Sequence, residues 1–211
     1  MRQNKMKTPM KSTKNTILTL ILMAVFNFGL LNAQEVSRPQ SEDYIQGVTA
    51  LNSGDLEKAY NCLNREIENN PENGYAHCYM SLICNACNDI VLAMQAANSS
   101  LELIPENDTE YRSFAYYTRG MLWGNLKKWD NAISDLNESI KLCPQDAESY
   151  KARAELYLHD GKYENALDDL DRAIKLNSKM DITDIMLELM EVVPTAELAQ
   201  RVTDTLNMMS L

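Results

Sequence analysis

The chain has 211 residues, 45% of them hydrophobic, with only seven glycines and six prolines, so it can bury a real core and fits neither a disordered chain nor a loop-rich β-sandwich. Its formal net charge is −10, but the first 33 residues carry five basic residues (Arg2, Lys5, Lys7, Lys11, Lys14) and no acidic ones; the remainder sets 15 basic against 30 acidic residues, a net of −15. A body of that charge repels phosphate backbones and anionic lipid surfaces, which excludes nucleic acid and the membrane surface as natural partners.

In chain order, residues 1–15 are basic and polar, and residues 16–31 (TILTLILMAVFNFGLL) form an apolar run interrupted by Asn27 and Gly29. Leu31-Asn32-Ala33 then gives way to Gln34-Glu35. A basic start, a short apolar run and a small residue before a polar stretch describe a secretory signal peptide over residues 1–33, cut after Ala33. The rival is an uncleaved anchor, for which the run is short against the roughly 20 apolar residues of a span. No cysteine follows the cut to take a lipid. In style, with Gln34 at the new N-terminus, the segment resembles the signals of exported proteins of Bacteroidetes-type bacteria. The expectation is an exported chain, periplasmic or extracellular, with no membrane insertion after cleavage. Residues 34–41 (QEVSRPQS) read as a short polar leader.

From residue 42 one pattern repeats. Four alanines, Ala59, Ala93, Ala132 and Ala166, are separated by 34, 39 and 34 residues. Twelve residues before each stands a small residue in all four copies: Gly47, Ser81, Gly120 and Ala154. Five before stand Gly54, Asn88, Lys127 and Gly161; four after stand Leu63, Ala97, Leu136 and Leu170. Pro71, Pro105 and Pro144 follow at twelve, with Ser178 in that place in the last copy. Each copy holds two helical patterns joined by a turn such as Asn52-Ser53-Gly54-Asp55, and the prolines end the second helix because the residue before proline is driven out of the helical region. Small residues at the crossing, Gly120 facing Ala132 and Ala154 facing Ala166, would let two helices approach closely. One pair cannot bury its own apolar face, so neighbours must stack.

This frame, with aromatic accents at Tyr116, Trp123, Trp129, Tyr150, Tyr157 and Tyr163, resembles the tetratricopeptide repeat over residues 40–178, most closely in the third and fourth copies. The resemblance implies an all-α fold, a right-handed superhelical stack of four helix-turn-helix pairs (about 42–73, 74–107, 108–146 and 147–178). The surplus of the 39-residue gap lies in Glu106–Arg112, either as a longer loop or as an extra helical turn capped by Asp108 or Thr109. Residues 179–211 read as two helices split by Pro194, apolar and rich in methionine, that cap the stack. Filling the groove and self-association are the other uses open to this tail.

Chemistry is sparse. The two histidines, His77 and His159, sit in no motif, and no glycine-rich phosphate loop occurs, so no catalytic residue, cofactor or metal is expected. Asp168, Asp169 and Asp171 read as a solvated helix face. His77, Cys84 and Cys87, spaced seven and three apart, share one helix face and form a conceivable metal or thiol site, but cysteines in that place of the repeat are more simply core.

In proteins of the resembling family the first helix of each pair lines a concave groove where partners lie. By frame, Tyr44, Cys78, Tyr117 and Lys151 share one row; Val48, Leu82, Met121 and Glu155 share the next; Ser41, Tyr75, Phe114 and Glu148 share the turn before. Family members that grip acidic peptide ends use a basic, asparagine-rich groove, and Tyr44, Val48, Cys78 and Leu82 depart from it. The expected function is therefore a protein- or peptide-binding scaffold or assembly factor, with an apolar groove formed by Tyr44, Val48, Tyr75, Leu82, Phe114, Tyr117 and Met121 and with Lys151 and Glu155 fixing register. The alternatives are a component that self-associates through its tail and a metal- or thiol-dependent protein acting through His77, Cys84 and Cys87.

Overall fold

The computed structural model describes residues 38–209; the segment 1–33 read as a signal peptide lies outside them, as do residues 34–37 of the leader. The described residues form ten helices: α1 (Glu42–Asn52), α2 (Leu56–Asn69), α3 (Gly74–Ala86), α4 (Ile90–Leu103), α5 (Thr109–Asn125), α6 (Trp129–Leu142), α7 (Ala147–His159), α8 (Tyr163–Leu176), α9 (Thr183–Val192) and α10 (Ala196–Met209). None is long and apolar enough to cross a membrane. They fall into two compact units, one reaching to Leu122 and one beginning at Trp123, within the last turn of α5.

The turns show why the chain folds at these points. Among the described residues, the four positions five residues before the repeated alanines are all in the left-handed region: Gly54 at φ 78°, Asn88 at 58°, Lys127 at 57° and Gly161 at 74°. Only glycine enters that region freely, and asparagine tolerates it. Lys127 therefore holds a strained backbone that its copy's turn imposes. Acidic and amide side chains start several helices: Asp55, Asn73 and Asp89 each accept the backbone N–H three residues on, and Asp146 accepts from Glu148 and Ser149. The second helices stop where proline follows, α4 at Leu103 with Ile104 already extended (φ −71°, ψ 127°) before Pro105.

Packing follows from the small residues. Ala59, Ala93, Ala132 and Ala166 are fully buried. In the first unit, a Cβ on Gly47 of α1 would lie 2.7 Å from Leu63 Cγ of α2, and one on Gly74 of α3 would lie 2.8 Å from the backbone nitrogen of Ile104 after α4. Each pair is thus as close as a missing side chain permits. The core of this unit runs through Leu51, Leu63, Ile83, Ile104 and Leu122, all at most 2% exposed. In the second unit Ala154, Ala166, Leu167 and Leu170 share a core with Ile182, Met186, Leu189 and Val202 of the C-terminal segment. Helices α9 and α10 therefore complete the core left open by α7 and α8.

Two features differ from, or decide between, the sequence expectations. Most of the surplus of the long gap lengthens a helix: α5 has 17 residues against 13 in α3 and α7, residues 106–108 stay outside it, and Asp108 starts it by accepting from the Tyr111 N–H at 3.2 Å. The acidic cluster on α8 is a solvated face only in part: Asp168 is exposed and Asp171 half-buried, but Asp169 is not. Asp169 is 6% exposed and takes two 2.7 Å bonds from Arg153, while Asp168 and Asp171 accept from Arg201 and Asp171 from Thr205. The cations come from other helices, Arg153 from α7 and Arg201 from α10, which residue type along one helix does not reveal.

The turn geometry makes a prediction. Lys127→Gly relieves a left-handed lysine and should raise stability by about 1 kcal/mol, whereas Gly161→Ala, with nothing within 4 Å of the new Cβ, should cost about as much through backbone strain alone. Urea midpoints of the two variants should move in opposite directions at unchanged slope.

Candidate functional site: an aromatic face with an acidic socket

Helices α1, α3 and α5 bring their aromatic side chains together on the first unit. The Tyr44 ring lies 6.2 Å from Tyr79, which lies 6.2 Å from Tyr111 and 6.0 Å from Phe114. Tyr75 meets Tyr111 edge to face at 4.9 Å. Such pairs contribute about 0.5–1.5 kcal/mol each beyond their buried area. Their hydroxyls are used: Tyr79 and Tyr111 share a hydrogen bond of 3.0 Å, and Tyr75 donates to Asp108 Oδ2 at 3.0 Å. Burial pushes the hydroxyls of Tyr44, Tyr75 and Tyr79 above the ordinary tyrosine range, so they stay neutral at physiological pH.

At one end of this face stands a charged cluster. Asp108 is 2% exposed, and besides Tyr75 and the Tyr111 N–H it accepts from Arg38 Nε at 3.4 Å and Nη2 at 3.5 Å. Arg38 also donates to Glu110 and lies over the Tyr111 ring, 4.6 Å from its centroid. Burial lowers the affinity of the guanidinium for its proton, but its bonds to Glu110 and Asp108 more than offset this and keep it firmly charged.

The residues expected to line a groove divide by depth. Tyr44, Tyr75, Leu82 and Tyr117 are buried, 4–7% exposed, while Val48, Phe114 and Met121 are half-buried. Adjacent first helices cover two of the tyrosines: Tyr79 packs on Tyr44, and Tyr111 on Tyr75. A repeat frame gives angle around a helix and not depth below the surface. The frame also missed Tyr79, Tyr111, Asp108 and Arg38. Tyr79 stands one turn beyond Tyr75, a signal that was available; Tyr111 and Asp108 lie in the irregular gap, and Arg38 lies in the leader.

In the second unit Glu148, Lys151 and Glu155 lie half-buried along α7. Burial raises both glutamates above their ordinary value of 4.5, and Lys151 only partly counters it. His159 stacks on Trp129 at 5.6 Å and reaches within 4.0 Å of Glu188.

His77, Cys84 and Cys87 are not brought together as a site. His77 Nε2 is 2.9 Å from the Pro71 carbonyl oxygen, and Cys84 and Cys87 are buried in the core. Cys62 and Cys78 are buried as well. Burial pushes Cys78 and Cys84 up to about 12, the opposite of a reactive thiolate. Among the described residues no group of three His, Cys, Asp or Glu could hold a metal ion.

With this geometry in hand, the relatives are informative. A family model described as tetratricopeptide repeat matches residues 136–168, from the second half of α6 into α8. Over those residues the chain matches the tetratricopeptide repeat. The helix stack resembles residues 41 to the end of MamA from Desulfovibrio magneticus RS-1, with a TM-score of 0.62 at 16% identity, covering 81% of this chain and 97% of that one. It also resembles YrrB, described as a tetratricopeptide-repeat protein with an unusual peptide-binding site, with a TM-score of 0.54 at 22% identity over 77% of this chain and 73% of YrrB. At these identities the likeness concerns the fold. A pentatricopeptide repeat-containing protein of Arabidopsis thaliana is 29% identical over 97 residues, 46% of this chain, and the chain spans 13% of that relative's length. The likeness is thus one of paired helices, and what those helices display is read from this chain's own residues.

The raised glutamates predict a pH dependence. The folded chain binds more protons than the unfolded one from about pH 4.5 up to the raised values, so this contribution to stability falls as pH rises through that window. Glu155→Gln should raise the melting temperature at pH 7, and its advantage should shrink as pH falls towards 4.5 and below. An advantage unchanged between pH 7 and pH 4 would contradict the origin assigned to it.

Proposed function

We propose that the protein is a non-catalytic scaffold or assembly factor that receives a protein or peptide segment on the α1–α3–α5 face of its first unit, and that it works in the periplasm or outside the cell. The observation that carries this reading is the aromatic cluster itself. Four tyrosines and Phe114 from three successive first helices form one cluster, rigid because rings and hydroxyls hold one another, with Tyr111 and Phe114 reaching its surface. A rigid aromatic surface offers large contact area at little entropic cost. Val48, Phe114, Met121 and Tyr111 remain half-accessible on those helices to take contacts, while the buried tyrosines set their positions. The exported location rests on the basic and apolar segment 1–33 and its small residue at Ala33. A solved relative described by its peptide-binding site makes the same use of the fold plausible in kind, and the chemistry proposed here rests on this chain's own residues.

Site-directed photo-crosslinking in the native cell tests the reading. A crosslinking side chain at Val48 or Met121 should yield discrete adducts with another polypeptide. The same group at the exposed Glu57 of α2, on the second helix of its pair, should yield none. Equal adducts from both surfaces, or none from either, would count against the proposed face.

A further inference from the structure

We propose that Asp108, Glu110, Tyr75 and Tyr111 form a receptor for an arginine side chain of a partner polypeptide, and that Arg38 is its tethered occupant in the free chain. This deepens the reading of the first unit as a peptide-binding surface and rests on it.

The socket has the parts that guanidinium recognition needs. Asp108 is buried, and its neutral donors, the Tyr75 hydroxyl and the Tyr111 N–H, bond it without balancing its charge. A buried carboxylate in that state calls for a cation. The Tyr111 ring gives a flat π-face at cation–π distance, held edge-on by Tyr75. Glu110, at about one-third exposure, supplies a second carboxylate on the open side. A planar, forked cation fits two carboxylates and a ring; an ammonium ion would use only part of this.

The present occupant bonds Glu110 closely and Asp108 at longer range. Arg38 reaches Asp108 at 3.4 and 3.5 Å, longer than the roughly 2.7–2.9 Å of a good charge-assisted bond. It belongs to the non-helical residues 38–40, just ahead of Ser41, which caps α1. That short tether limits its approach. Its side chain keeps 35% exposure, so the socket opens to solvent, and its departure requires no helix to unfold. A short tether also gives Arg38 an effective concentration in the millimolar range, enough to exclude weak ligands and be displaced by a segment with further contacts along the aromatic face.

The test uses the full chain and a fluorescent peptide copying residues 34–41 (QEVSRPQS), with a second peptide carrying citrulline, the neutral isostere, for arginine. Arg38→Ala should bind the arginine peptide saturably by fluorescence anisotropy, at least tenfold more tightly than the wild-type chain. It should not bind the citrulline peptide. Arg38→Ala/Asp108→Asn should lose binding while keeping helicity by circular dichroism, since asparagine still caps α5. Should that variant fail to fold, Arg38→Ala/Glu110→Gln should still weaken binding severalfold. The proposal is overturned if folded Arg38→Ala binds no arginine peptide, if citrulline binds equally, or if the wild type binds as tightly. Crosslinking from Val48 and Met121 uses no arginine. Adducts there with no peptide binding here would remove the socket and leave the face, and failure of both would remove both.

Discussion

Two helices can lie flush only where neither carries bulk at the crossing, and much else within each unit follows from meeting that condition. The fully buried Ala59 and Ala93 mark crossings in the first unit and Ala166 one in the second. Gly47 shows how little room is left, since even one methyl group would overlap Leu63. Overpacking such a contact costs about 1–3 kcal/mol, a large share of a domain's stability. The constraint sets the distance from small residue to alanine, hence the length of the turn between them, hence a left-handed residue in each turn. Glycine meets the last demand twice, asparagine once and lysine once. The turn is imposed by the crossing, and the residue at its apex follows with more or less strain.

Close pairing also decides what reaches the surface. In the first unit the first helices of successive pairs stand side by side, and their large side chains turn against each other. Tyr44, Tyr75, Tyr79 and Tyr111 thus become a linked set whose rings are largely enclosed and whose hydroxyls satisfy one another or Asp108. The extra turn of α5 puts Asp108, Glu110 and Tyr111 at the edge of that set. In a body with twice as many acidic as basic residues, one arginine from the leader meets two carboxylates and a ring there. The irregular joint of the repeat is therefore the place where charge and aromatic surface coincide.

Much of this was legible in the sequence, for physical reasons that also explain the rest. Helix pairs, turns and stops were readable because crossings, left-handed turns and prolines restrict residue type. That Tyr44, Val48, Tyr75 and Phe114 stand on the first helices of their pairs was readable because the repeat frame is periodic. Depth was not: it depends on which neighbour covers a side chain, so Tyr44, Tyr75, Leu82 and Tyr117 were expected in an open groove and lie buried. Nor could Asp168, Asp169 and Asp171 announce their partners, because Arg201 and Arg153 come from other helices. Arg38 was invisible for the same reason, its partners standing 70 and 72 residues away.

The central claim is that a buried carboxylate and a tyrosine ring on the first unit bind a guanidinium. Its most direct measurement is the NMR spectrum of the Arg38 side chain, with the arginine Nε–H resonances assigned through Arg38→Lys. The account predicts a slowly exchanging Arg38 Nε–H, shifted by the ring and showing nuclear Overhauser contacts to Tyr111, that moves to the exchange rate of free arginine in Asp108→Asn. A rapidly exchanging Nε–H with no contact to Tyr111 in the wild-type chain would contradict it.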